Sequence, residues 1–499
     1  MTHPGAGILP VGWRGKTSAA GSPANRQAGC LPFSDRAEHS RLFNVIGALA
    51  AAPVDIASLA AFRVLFGLMM AAGMIRFLAK GWVRELYLDQ AFCFSYPGFS
   101  WVQPWPAVWM RAHFIFLAVV ALGMAAGFYY RVCAVLFFLG FAYVELIDQT
   151  LYLNHYYLVS LISGLMIFLP ANRAWSWDAW CKPQLRLDAI PCWCLYVLRF
   201  QVGLVYLFAG LAKLTADWLF QAEPLRIWLA ARGDLPWIGP WLGLAWVAYA
   251  ASWFGAVFDC SIVFLLLYKP ARKIAFLLVV VFHAATWVLF NIGMFPWIMI
   301  ACATLFFDPD WPRQLAARLS GLALKPGRCV AMLEGIARAA AARQPRQAPP
   351  GWSSRAILAP LGIFALIQLA LPLRSYFVTG PPAWSCTGFN CAWRVMIAEK
   401  TGYAEFYACD QATGRRHRLS IDHLITPRQQ MMMAQDPDLI RSMARRLAAE
   451  LKARGQTAIR IEVDAYATLN GRPSQRLIKP GVDLAGPLPS DWIVPLAGP

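Results

Sequence analysis

The chain has 499 residues, of which 59% are hydrophobic and only 14% charged, with a formal net charge of +18. A soluble fold carries about 25% charged residues to cover its surface, so this composition excludes an ordinary globular protein. The positive charge does not point to nucleic acid, because the basic residues lie between apolar runs and not on one polar module.

Residues 1–45 hold Gly, Pro, Ser and scattered Arg without an apolar core. They read as a disordered cytoplasmic tail with no secretory signal. A helix needs about 20 apolar residues to cross the hydrocarbon of a bilayer. Runs of that kind lie near 58–78, 113–129, 132–147, 152–170, 191–214, 241–267, 272–292, 294–307 and 355–374. The third and eighth are short, and Pro296 falls in a first turn, where its missing N–H is tolerated. The 22 tryptophans suit a protein with two membrane interfaces to anchor. With the N-terminus in the cytoplasm, twenty Lys and Arg lie in the tail and inner loops. Only Lys80, Arg84, Arg111, Arg226 and Arg232 lie outside. The positive-inside asymmetry therefore predicts nine spans within a bundle over residues 46–374. Eight spans, with the C-terminal segment inside, is the alternative.

Residues 375–499 change character: charge rises and alternation appears. WRVMIAEK (393–400) and YAEFYACD (403–410) predict paired strands around Thr401-Gly402. Residues 427–454 predict an amphipathic helix ending at Gly455, and AIRIEVDAYATL (458–469) a further strand. The expected fold class is thus a polytopic α-helical membrane protein with a C-terminal extracytoplasmic α/β or β-rich domain. Twelve cysteines show no metal-ligand spacing, and Cys192 and Cys194 read as buried thiols. Outside the cytoplasm, Cys386 and Cys391 pair with each other, or one of them reaches Cys93 in the first outer loop; free thiols, Cys409 among them, are the other reading.

Ionisable groups inside a span are costly unless paired or wet, so each is a functional candidate. Arg63, Arg199, Lys213, Asp259, His155 and His283 qualify. The bland account pairs Arg63 and Arg199 with Asp259, Glu145 or Asp148. The span map places Asn154, His155 and Lys213 near the outer rim, with His283 at mid-depth below Asn291 and Gly293. Two readings are open for Lys213. It snorkels to water, or it is buried, where a neutral amine is favoured and serves as a general base. FAGLAKLTADW (208–218) adds Asp217 and Trp218 at the interface. A lone histidine in a span is more often a packing residue than a catalyst. Phosphate-loop, dinucleotide and zinc-helix motifs are missing, and His155 and His283 lack the partnered spacing of haem ligands. A bundle with a wet outer pocket suits a lipid-soluble aromatic ligand such as a quinone.

Several of these residues sit in a series of blocks: SLAAFRVLFGLMM (58–70), RELYLD (84–89), ALGMAAGFYYR (121–131), NHYYLVSL (154–161), FAGLAKLTADW, NIGMFPWIMIA (291–301), FFDPDWPR (306–313), WRVMIAEK and NGRPSQRLIKPGVDL (470–484). In this order they resemble the vitamin K-dependent gamma-carboxylases and their bacterial relatives with a horizontally transferred transmembrane domain. The resemblance runs from about Ile56 to Leu496. It implies an integral-membrane enzyme, in bacteria of the inner membrane, that carboxylates glutamate in a peptide or protein. The cofactor implied is reduced vitamin K or menaquinone hydroquinone, with oxygen and carbon dioxide as co-substrates and no metal. Lys213 matches the family lysine that deprotonates the hydroquinone; Ala212 stands where the family often has a second lysine. Oxygenation then yields an alkoxide that takes the glutamyl γ proton, the carbanion adds carbon dioxide, and the cofactor leaves as its epoxide. His155 matches a family histidine and is assigned with Lys213 to catalysis. Asn154, His283, Asn291 and Trp218 are assigned to cofactor binding. Cys93 matches a cysteine that animal members bridge to the luminal domain, but the partner position is Arg446. A quinol epoxidase without carboxylation and a non-enzymatic lipid- or solute-binding protein are the alternatives.

Overall fold

The computed structural model describes residues 45–290, 292–322, 355–410, 413–456 and 459–498. The expected tail, Asn291 and most of the basic loop before the last apolar run lie outside the described residues.

All nine apolar runs are helical. They are α1 (Ala57–Ala79), α2 (Ala107–Ala126), α3 (Tyr130–Leu146), α4 (Asn154–Phe168), α5 (Trp193–Lys213), α6 (Ala245–Leu267), α7 (Arg272–Leu289), α8 (Phe295–Ala303) and α9 (Leu358–Leu373). In hydrocarbon only intrasegment hydrogen bonds satisfy the backbone, which is why such runs become helices. Six, α1, α2, α5, α6, α7 and α9, are long and apolar enough to cross a bilayer. α3, α4 and α8 are shorter. The second run starts earlier than expected and stops at Ala126, where Gly127 takes a left-handed conformation (φ 67°). Strands β1 (Pro53–Asp55) and β2 (Ala189–Pro191) pair antiparallel at the entries to α1 and α5.

The expected ion pairs of Arg63 and Arg199 do not form. Arg63 is fully buried and donates to the carbonyls of Ala171 (2.9 Å), Ala174 (3.2 Å) and Trp175 (2.6 Å), just beyond the end of α4. Arg199 donates to Leu305 O (2.7 Å) and Phe307 O (3.0 Å), beyond the end of α8. Helix C-termini leave carbonyls unsatisfied and carry partial negative charge. Each arginine answers the end of a short helix, which a sequence search for acidic partners overlooks.

The C-terminal domain is a four-stranded antiparallel sheet in the order β4-β3-β5-β6, with β3 Lys400–Asp410, β4 Arg416–Leu419, β5 Ile459–Leu469 and β6 Gln475–Arg476. The hairpin expected at Thr401-Gly402 is absent. β3 runs straight through that dipeptide and pairs with β5, Lys400 opposite Leu469 through to Asp410 opposite Ile459. Gly402 is there for another reason: a Cβ on it would lie 2.0 Å from the Ala434 carbonyl. Residues 393–399 are not strand, because Trp393 (φ 55°) and Met396 (φ 54°) are left-handed. The single helix expected over 427–454 is two, α10 (Pro427–Met433) and α11 (Pro437–Ala453). Thr426 and Gln429 form a capping box at the first, and the Asp436 side chain caps the second. Phe406, Ile461 and Val463 of the sheet are buried in one core with Ile440, Met443 and Leu447 of α11.

The helical and sheet cores exchange side chains. Phe94, from the loop after α1, is buried in the sheet core. Trp393, from the loop before β3, is buried in the helical core and stacks on Tyr157 of α4 at 5.0 Å. All described cysteines are free thiols. Arg446, the position matched to the family's second bridging cysteine, lies 5.9 Å from the Phe92 ring, one residue from Cys93. The guanidinium thus occupies the neighbourhood a bridge would cross. Burial pushes the Cys386 thiol up to about 12. At pH 8 a maleimide should label exposed Cys181 quickly and Cys386 far more slowly, since only an accessible thiolate reacts. Mass-spectrometric labelling kinetics check this, and equal rates would contradict it.

Candidate active site

α5 and α6 cross closely because Gly210 removes a side chain at the contact. A Cβ there would sit 2.7 Å from the Cys260 nitrogen and 3.0 Å from the Asp259 carbonyl carbon. The crossing brings Lys213, the last residue of α5, against Asp259 of α6 at 2.7 Å, both side chains only 7% exposed. Lys213 therefore does not snorkel. Its Nζ also donates to Ala209 O (3.2 Å) and Val395 O (3.5 Å) and lies 5.2 Å from the centre of the Trp218 ring. Trp218 is held by its indole N–H, which donates to Ser252 O at 2.7 Å. Asp259 was thus misassigned to the arginines; the small residue at 210 was the available signal of the α5–α6 contact.

Beside this pair lies a cavity of about 660 Å³. Apolar side chains of α1, α3, α4 and α8, including Met70, Phe77, Phe141 and Phe295, line it. Asn154 and His155, from the first turn of α4, contribute polar atoms, and Val395 and Met396 close one side. His155 packs edge-on against Tyr156 (4.6 Å) and near Phe295 (5.9 Å). Lys213 is not on the lining; Val395, whose carbonyl it approaches, is. His283 is buried behind Phe295 (6.0 Å), with Nε2 2.9 Å from the Tyr206 hydroxyl and Nδ1 unpartnered among the described residues. Asn154 and His155 therefore face the cavity directly, while Lys213, His283 and Trp218 stand behind its wall. Tyr206, Arg76, Glu85 and Arg428 were missed. The last three line the cavity, and no periodicity marks residues brought together from α1, the short helix after it and α10.

The tract following Lys213 is clamped to the sheet domain. Arg472 donates twice to Asp217, both bonds 2.7 Å, and Asn470 donates to the same carboxylate at 2.9 Å. Hydrogen bonds from Arg472 hold the Asp217 carboxyl below the usual carboxylate range. A folded-state pKa below the unfolded value of about 3.9 makes this contribution complete above that pH, and it is lost as pH falls through the folded pKa. Arg472→Ala should cost about 1.5–3 kcal/mol near neutral pH and flatten the acid side of the stability profile. Unchanged thermal unfolding across pH 3–7 would contradict the clamp.

The apolar ring and the two polar residues of α4 fit an aromatic, lipid-soluble group with oxygen substituents. A family model for the HTTM domain matches residues 51–311. The model for the lumenal domain of vitamin K-dependent gamma-carboxylase matches residues 353–498. No solved structure matches the chain. A helical membrane domain carrying a sheet-containing extracytoplasmic domain is what these two matches describe in order. The chain is a multi-pass membrane protein of the vitamin K-dependent gamma-carboxylase family.

Proposed function

We propose that the protein is a gamma-glutamyl carboxylase that couples oxygenation of a reduced vitamin K or menaquinone, to its epoxide, with carboxylation of glutamate in a peptide. The observation that supports this best is the apolar cavity bearing Asn154 and His155, with the buried Lys213–Asp259 pair one residue behind its wall. When bound and oxygenated, the hydroquinone supplies the strong base that the glutamyl γ carbon requires.

The residues do the rest. Lys213 passes its ammonium proton to the Asp259 carboxylate and, as the neutral amine, accepts the hydroquinone proton at Nζ; the Val395–Met396 stretch is the part of the wall that yields to let it. Asn154 and His155 orient the ring oxygens by hydrogen bonding. His283 holds the wall behind Phe295 through its bond to Tyr206. Trp218 shields the Lys213 amine from water. Phe77, Phe141 and Phe295 exclude water from the cavity, so a strong base there survives long enough to meet carbon.

The test supplies purified protein with reduced vitamin K, oxygen, labelled bicarbonate and a glutamyl peptide. Label should enter the peptide as epoxide forms. Epoxide without label would leave a quinol epoxidase. Neither turnover nor hydroquinone binding would leave a lipid- or solute-binding protein.

A further inference from the structure

Several arginines in the interior are engaged by at least one acceptor. Arg63 and Arg199 hold helix-end carbonyls, Arg272 bonds Asp308, and Arg472 grips Asp217. Two arginines on the cavity lining break this pattern. Arg76, in the last turn of α1, is half-buried with its guanidinium 4.8 Å from the Trp82 ring centre. Arg428 sits in the first turn of α10, in the sheet domain, and is exposed. Among the described residues neither guanidinium makes a hydrogen bond to an acceptor or an ion pair. Glu85, the carboxylate on the lining, is within 4.0 Å of neither. Yet the two converge on one cavity: both lie on its lining, with His155 and Tyr156.

The ring oxygens of a hydroquinone are single acceptors already served by Asn154 and His155 in the reading above, and they do not match the paired donors of a guanidinium fork. A carboxylate does, because its two oxygens match the planar fork of arginine. The two arginines also come from different parts of the fold, one from the membrane domain and one from the sheet domain. A peptide side chain entering between the domains would meet both.

We propose that Arg76 and Arg428 form a carboxylate subsite that grips the side chain of the glutamyl substrate beside His155. The proposal rests on the carboxylase reading above and adds the recognition of the acidic side chain. It also accounts for two cations where the substrate brings one anion. Carboxylation replaces a γ C–H bond with a C–CO₂⁻ bond, so the product carries two carboxylates on one carbon.

The experiment uses the full-length protein and two short peptides differing only in Glu or Gln at the acceptor position. Fluorescence anisotropy reads their binding without turnover, and steady-state assays read KM for the glutamyl peptide and for hydroquinone separately. Arg76→Gln and Arg428→Gln should each weaken Glu-peptide binding about tenfold to a hundredfold, the range of a lost charge-assisted bond. Binding of the Gln peptide and KM for hydroquinone should stay within about twofold, a split that general misfolding would not produce. Arg76→Lys should retain part of the preference. Variants that still discriminate Glu from Gln as the parent does would overturn the subsite, as would an equal rise in hydroquinone KM. Arg428 is exposed, so its variant tests the idea even if Arg76→Gln fails to fold. A parent that binds Glu over Gln but fixes no label would sink the carboxylase reading and leave the subsite standing.

Discussion

Lys213→Ala should lower hydroquinone epoxidation by about 10²–10⁴-fold, the usual contribution of a positioned general base. Hydroquinone binding should change little, because the amine is behind the cavity wall and not part of the lining. The loss should therefore appear in kcat with KM nearly constant. Carboxylation of the peptide should fall by the same factor, since both products depend on one deprotonation. Product analysis by chromatography at saturating hydroquinone makes the measurement. Parent-like epoxide formation by the alanine variant would remove Lys213 from the base role.

Asp259→Ala should have the largest effect on stability. It leaves Lys213 buried with two backbone carbonyls and a tryptophan face but no counter-charge. Breaking a buried pair from one side costs about 3–5 kcal/mol, mostly for the stranded charge. The double variant Lys213→Met/Asp259→Leu removes both charges at once and should recover most of that loss. Activity should not recover with it. Thermal unfolding in detergent separates the cases: parent and double variant high, single variant low. A single variant as stable as the parent would mean that the pair is wet and not buried.

Much of this architecture was legible because lipid is an unforgiving solvent. The nine apolar runs had to be helices, and the alternation of 459–469 had to be a half-buried strand. What failed were pairings between distant segments. Thr401-Gly402 carried a hairpin signal, but the glycine serves a close approach to Ala434, and β3 finds its partner more than fifty residues later. Lys213 and Asp259 were both flagged as costly, yet which helices cross is not written in hydropathy. Arg63 and Arg199 looked like halves of ion pairs because carbonyl oxygens at helix ends have no side-chain letter. Arg428 was beyond reach for a related reason: it joins the cavity only because the sheet domain sits over α4.

The brevity of α4 has a physical consequence of its own. Its 15 residues rise about 22 Å, roughly 8 Å less than the hydrocarbon thickness. A helix that short leaves a hydrophobic mismatch to be filled by lipid distortion or by protein. Here protein fills it. The loop before β3 comes down to the start of α4, where the Cys391 N–H donates to the Tyr152 hydroxyl at 2.7 Å and Trp393 lies on Tyr157. A segment continuous with the sheet domain thus packs against the start of a helix too short to span the hydrocarbon by itself. For the carboxylase proposed above, two reactants that share no solvent, one dissolved in lipid and one in water, would meet at the first turn of this helix.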